Sequence, residues 1–445
     1  MVRRDVIRQW VASNLAPIIF LSAYFFTVVL GNILYTLSSV QKILREQKYT
    51  AQLLEFDSLF SPGYWALLFL PFLVTPIFVF LVRRVAVQPL GRLMVLMPDI
   101  SKIDFAVMSA LCAGLVLFAM FRADAFYLFS SGMDAISSVE ARFQIRAEMG
   151  FLSLVVLMSI LHFLSIYAFV KCMREPDIYW WVVSICHVTA MTIFLVLLNM
   201  KWPVLIYYAG LILSIFVYAR RWAYPKTVAG AVLLVALYLL IASFVFRLSA
   251  IENVKPAAIE NVKPGSTAVA VAGSAFENAP MLIFSAVNRM AVIYPYYYEL
   301  SQTEGVICGG FFEQLRFGQP CRPSTYVYTN IFGIDGFEGR GTSPASAHVT
   351  GYALGGWGGA LFAIIVVSVI LGMFASLPLD ISSTVGAIAI TGAVTGYHFS
   401  QLPGEGPLLY DHGVVWSMLF VLVYAFCRIL IAFMKGRRSR RFDCY

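Results

Sequence analysis

Charge is scarce in this sequence. Asp, Glu, Lys and Arg together make up 13% of its 445 residues, against about a quarter in soluble domains. So little charge cannot solvate the surface of a water-soluble globule. Histidine is scarcer still, with five residues in the whole chain. The connections between the apolar runs hold no G-x-S-x-G elbow, no H-E-x-x-H, no C-x-x-C and no P-loop. A hydrolase or a metalloenzyme needs such a set, so no metal site and no cofactor are expected. Alternating segments of about ten residues, the mark of a membrane β-barrel, are also missing.

What is present is apolar: 60% of residues are hydrophobic and the mean hydropathy is +0.80. Runs of about 20 apolar residues are long enough to cross a hydrocarbon core of ~30 Å. The pattern predicts an all-α polytopic membrane protein with about ten spans, over 15–37, 64–81, 105–121, 151–169, 179–198, 203–218, 228–246, 354–374, 385–397 and 414–432. The first apolar run is too long for a cleavable signal. Three parts follow: seven helices in 1–246, a large loop over 247–352, and three helices with a basic tail in 353–445. The formal charge of +8 is no nucleic-acid footprint, because the basic residues sit in short clusters at span ends. Alternate connections carry most of them, as in Arg83, Arg84 and Arg92, then Lys171 and Arg174, then Arg220 and Arg221. The positive-inside rule therefore puts both termini in the cytoplasm and the large loop outside.

That loop holds Cys308 and Cys321, with twelve residues between them. In an oxidising compartment they pair and hold a compact subdomain; otherwise they are two free thiols. The heptapeptide Ala-Ile-Glu-Asn-Val-Lys-Pro occurs twice in 250–264 and reads as a mobile start to the loop. Residues 280–300 have a helix-like apolar face followed by Tyr294, Tyr296, Tyr297 and Tyr298. This predicts a helix lying on or dipping into the outer membrane surface and ending in an aromatic belt.

Arginine, histidine and glycine supply the chemistry. Arg142 and Arg146 are four residues apart and share a face if 141–148 is helical. Arg289 interrupts the apolar surface helix, and Arg340 lies in the Gly-Arg-Gly-Thr-Ser-Pro stretch that leads into the eighth span. A charge beside the bilayer is costly and points to function, and a guanidinium grips phosphate in bidentate fashion. The alternative is snorkelling to lipid headgroups. His348, His398 and His412 fall at outer span ends, with Glu405 and Asp411 nearby. Such groups can take a proton from a hydroxyl near neutral pH; an interfacial histidine can equally be a hydrogen-bonded structural residue. His162 and His187, inside spans, read as packing residues. Gly355, Gly356, Gly358 and Gly359 either let helices approach closely or expose backbone amides to an anion.

The order of these features resembles the Wzy-type polymerases of O-antigen and related repeat-unit polysaccharides. It runs from an arginine-bearing outer loop and a long outer loop, through Thr342-Ser343-Pro344 and a Gly-Gly-Trp-Gly-Gly-Ala-Leu-Phe span. A short outer loop with Glu405-Gly406, a last span and a basic tail complete it. Arg340 and Gly351 match the family's spacing of an arginine, ten residues and a glycine, whereas Arg142 and Arg146 do not. The resemblance implies a GT-C-like fold in the bacterial inner membrane and a metal-independent glycosyltransferase working on the periplasmic side. Donor and acceptor would be polyprenyl-pyrophosphate-linked oligosaccharides in membrane lipid, with a chain-length regulator as a further partner. It implies Arg289 and Arg340, with Arg142 and Arg146 as second choices, on pyrophosphate. His398, His348 or Glu405 would be the base, and Tyr297 and Trp357 would stack on sugar or lipid. An O-antigen ligase shares the donor. A flippase would bury polar groups deep in several spans, and a structural subunit would not need the outer arginines and histidines.

Overall fold

The computed structural model describes residues 10–47, 54, 56–126, 135–198, 201–219, 222–245, 290–313, 321–332, 342–395 and 416–428. Among them the secondary structure is helical, with no strand. Among the described residues seven helices are long and apolar enough to cross a membrane. They belong to α1 (Leu15–Tyr35), α3 (Pro62–Met94), α4 (Lys102–Arg122), the span Gln144–Arg174, α7 (Ile178–Leu197), α9 (Ala223–Val245) and α12 (Ala347–Ala375). The span Gln144–Arg174 is built from α5 (Ala135–Val155), a π turn (Val156–Leu161) and α6 (His162–Arg174). The chain is a polytopic helical membrane protein. The other three expected spans fall on α8 (Lys201–Tyr218), α13 (Ser383–Thr395) and α14 (Trp416–Arg428), whose apolar parts run 10–17 residues within the described chain.

Local signals start the helices where they do. Ser101 caps α4 by accepting from the Asp104 amide at 3.1 Å, and Asp177 caps α7 by accepting from the Tyr179 amide at 3.2 Å. Pro62 opens α3 at a position where its missing N–H costs nothing. At 33 residues, α3 is about 50 Å long at 1.5 Å per residue, so it projects beyond the hydrocarbon layer. Gln144–Arg174 is the most enclosed of these spans, 67% buried over its most apolar window, whereas the α9 window is 6% buried. The longest helix pair is α3 against α12. There Ser368 Oγ donates to Thr75 Oγ1 at 3.0 Å, and Gly372 leaves room for Val82.

Contacts between connections separate the two ends of the bundle. At one end Lys171 Nζ pairs with Asp99 at 2.7 Å, and Arg174 donates to the carbonyls of Leu379 and Asp380 at 3.3 and 2.8 Å. Arg428 pairs with Asp104 at 3.1 Å, and Lys102 pairs with Asp177 at the same end. At the other end lie α2 (Ser38–Gln47), α10 (Tyr294–Glu304) and α11 (Pro323–Phe332). The connections that follow α3, α6 and α12 meet at the first of these ends.

Residues 290–304 depart from the expected surface helix. Residues 290 and 291 are helical, a turn follows, and α10 starts at Tyr294, with Tyr294, Pro295, Tyr297 and Tyr298 buried; 280–289 lie outside the described residues. The tyrosines form part of a core with Tyr24, Tyr35, Tyr64 and Tyr352 rather than a belt at the lipid boundary. Their hydroxyls decide this, because each finds a fixed partner inside the protein, which a phenol needs when it leaves water.

Candidate functional site

The polar groups at the α10 end converge on the start of α12. Ser346 is the N-cap of α12, but its side chain does not cap, because its Oγ is hydrogen-bonded to the Tyr294 hydroxyl. The Ser346 amide donates to that same hydroxyl at 2.9 Å. One turn along α10, the Tyr297 hydroxyl donates to Ser343 O at 2.8 Å, and the Ser343 amide donates to Ser324 O at 2.9 Å. The Thr342-Ser343-Pro344 stretch is thus bolted to α10 and to the first turn of α11. Residue 290 onward is tied to the first span. Asn32 Nδ2 donates to Ala291 O at 3.2 Å and to Val28 O at 3.0 Å, while the Tyr64 hydroxyl donates to Asn32 Oδ1 at 2.6 Å.

His348 is the second residue of α12 and has no exposed surface. Its Nε2 lies 3.1 Å from the Tyr24 hydroxyl, which also donates to Leu68 O at 3.1 Å. The rings of Tyr24 and His348 meet edge to face at 5.3 Å. Among the described residues no hydrogen-bond partner stands near His348 Nδ1. Tyr24 directly precedes a π turn, Phe25–Val29, a local defect that often marks functional places in helices.

Beyond His348 the helix breaks. Gly355 and Gly356 have non-helical angles, and Gly356 sits at φ +60°, where a side chain would be strained. Just past the break, Trp357 is 46% exposed and meets the edge of Tyr352 at 5.4 Å. Tyr352 in turn stacks on Tyr298 at 5.6 Å and accepts from Gln302 Nε2 at 2.6 Å. The Glu304 carboxylate accepts from the Tyr326 hydroxyl at 2.6 Å and holds that phenol above its usual range. Trp357 is therefore the open edge of an aromatic stack whose inner members are locked.

The sequence-predicted residues distribute unevenly. His348, Tyr297 and Trp357 share the α10–α12 end. Tyr297 is 1% exposed and its ring lies in the core. Cys308 and Cys321 form a disulfide with Cα atoms 5.3 Å apart. Arg142 and Arg146 both lie on α5; Arg146 is exposed, and the Arg142 side chain is outside the described residues. Arg289, Arg340, His398 and Glu405 also lie outside them, as do His412, Asp411 and the 250–264 repeat. His162 and His187 pack as expected, edge-on to Tyr207 and tilted on Phe105. Among the described residues no group of three or more His, Cys, Asp or Glu is placed to hold a metal.

Tyr24, Asn32 and Tyr64 were not anticipated from sequence. An asparagine in the first apolar run was the available signal, since a polar amide within a span must find partners there. Nothing in the sequence marks Tyr24 apart from other span tyrosines. Comparison with protein-family models, with curated proteins and with solved structures finds no match.

Proposed function

We propose that this chain is a Wzy-type polymerase. It extends a glycan by transferring it from a polyprenyl-pyrophosphate carrier to another lipid-linked repeat unit, on the outer face of a bacterial inner membrane. In this reading the α10 end faces outward, the chain crosses ten times, and 247–352 is the outer loop. The acceptor hydroxyl loses its proton to a base as its oxygen bonds the anomeric carbon. The bond from that carbon to the pyrophosphate oxygen breaks, and cationic side chains offset the charge on the leaving group.

One observation carries the reading. Arg289 adjoins Met290, whose neighbour Ala291 is hydrogen-bonded to Asn32, and Arg340 is two residues before Thr342 in the stretch bolted to α10. The two anchored segments are themselves joined by the Tyr294–Ser346 and Tyr297–Ser343 bonds. That joint lies beside a buried histidine and an exposed tryptophan, and both arginines neighbour it in sequence, their own placement lying outside the described residues. A transporter reading would instead call for charges deep within the spans.

The test is genetic and biochemical. Arg340→Ala and Arg289→Ala should abolish long-chain glycan while the protein still inserts at normal levels. A deletion strain should retain single repeat units on the lipid A core. Loss of those core-linked units would indicate a ligase, and unchanged chain length in both variants would remove the arginines from the mechanism.

A further inference from the structure

The Tyr24 hydroxyl has one proton, and Leu68 O and His348 Nε2, both at 3.1 Å, are two described neighbours that could receive it. A carbonyl oxygen can only accept, whereas an imidazole nitrogen accepts or donates according to tautomer. If Tyr24 gives its proton to Nε2, one hydrogen bond forms and His348 carries an N–H on Nδ1 that is buried with no acceptor. If Tyr24 gives its proton to Leu68 O, its oxygen is free to accept from Nε2–H. Two hydrogen bonds then form, and Nδ1 holds only a lone pair. Orphaned buried N–H groups are the rarer of the two defects, and the second arrangement makes more bonds.

We infer that Tyr24 is the positioning residue of the site: it fixes His348 as the Nε2–H tautomer, so that the unpartnered Nδ1 is the basic atom. This rests on the polymerase reading for its chemical consequence. The surroundings supply a second argument. A buried acceptor left without a donor costs about 1–3 kcal/mol, and such a group in a folded protein calls for an explanation. A hydroxyl brought by a substrate would satisfy it. Deprotonation then runs from the acceptor hydroxyl to Nδ1 as the hydroxyl oxygen bonds the anomeric carbon and the pyrophosphate departs with the electron pair of its C–O bond. His348 becomes imidazolium, and its Nε2–H remains bonded to the Tyr24 oxygen throughout. Nδ1 later releases its proton to solvent. Orientation of a working histidine through its other nitrogen is a general device.

The elements that carry the pair are both irregular. α1 has its π turn directly after Tyr24, and α12 breaks seven residues after His348, at Gly355 and Gly356. His348 has no exposed surface, so a substrate reaches Nδ1 only when the packing around it opens.

The test uses the full-length protein in lipid nanodiscs with ¹⁵N-labelled histidine, His348 being assigned by the signal that His348→Gln removes. The wild type should show Nε2 protonated and Nδ1 bare. In Tyr24→Phe that preference should disappear, and polymerised glycan in cells should fall about 10–100-fold, the scale seen when the partner orienting a metal-bound histidine is lost, at unchanged protein level. A wild-type His348 protonated on Nδ1 overturns the inference without any variant, and so does a tautomer unmoved by Tyr24→Phe. If the tautomer responds to Tyr24 but His348→Ala keeps full-length polymer, the orienting role is supported and the failure belongs to the function assigned to the site.

Discussion

Gly351 and Gly359 stand backbone against backbone. A methyl group on Gly351 would come within 2.5 Å of Gly359 O, and one on Gly359 would press still closer on Gly351 O and against Phe311. Eight residues of straight helix would separate them by about 12 Å. The break at Gly355 and Gly356 folds the first two turns of α12 back onto the rest, and the two glycines are what allow the approach.

Gly359→Ala should therefore lower the thermal unfolding midpoint in detergent, with a loss of about 1–3 kcal/mol from overpacking against backbone that cannot move aside. Gly114→Ala is the control. It lies in α4 with nothing within 4 Å of an added methyl, so its helix gains up to about 1 kcal/mol in propensity. Equal midpoints for the two variants would mean that the Gly351–Gly359 contact has no energetic weight.

At the opposite end, Asp99 accepts from Lys171 at 2.7 Å and from the amides of Ser383 and Thr384 at 2.9 and 3.2 Å. Burial raises its pKa, but the Lys171 hydrogen bond and charge and the two amides outweigh burial and hold the carboxyl below the usual aspartate range. A depressed folded pKa contributes stability above the unfolded value, near 3.9, and that stability is lost as pH falls through the folded value. Wild-type melting should thus fall below about pH 4. Asp99→Asn should cost about 1–3 kcal/mol at pH 7 and flatten the acid limb. An acid limb as steep in the variant as in the wild type would assign it to other carboxylates.

The Cys308–Cys321 bond closes a loop of twelve intervening residues. Replacing both cysteines with serine should reduce stability of this region by about 2–4 kcal/mol, mainly through the freer unfolded chain. Limited proteolysis of the full-length protein reads the effect as faster cleavage within 290–332. Intact mass should rise by two hydrogens on reduction of the wild type and not of the variant.

Trp357 is exposed, and its neighbours Tyr352 and Tyr298 are locked by Gln302 and Ser61. Trp357→Ala should leave the melting temperature within error and reduce glycan polymer roughly two- to ten-fold, the worth of one aromatic contact. Tyr298→Phe should do the reverse, removing its 3.1 Å bond to Ser61 and costing about 1 kcal/mol of stability. A Trp357→Ala variant that melts early would make this side chain part of the core.

Much of the membrane architecture was legible in the sequence, because hydrocarbon imposes one requirement on every residue of a span and long apolar runs record it. The seven long spans and the packing roles of His162 and His187 follow from that rule. The disulfide was open at the sequence level, since pairing depends on where two backbones lie and not on how many residues separate them.

The tertiary structure alone decided which polar groups meet. Tyr24 and His348 are 324 residues apart, Asn32 and Ala291 are 259 apart, and no local pattern encodes either contact. The tyrosines of 294–298 look like an interfacial belt in sequence, because an amphipathic ring suits a lipid boundary and a satisfied core equally well. Their partners Ser61, Ser343 and Ser346 move them inside. The sequence determined that the chain crosses a membrane many times and where its few polar residues lie along it. Folding determined that a single end gathers α1, α3, α10 and α12 around one histidine, because hydrogen bonds between distant segments are settled only when the spans pack.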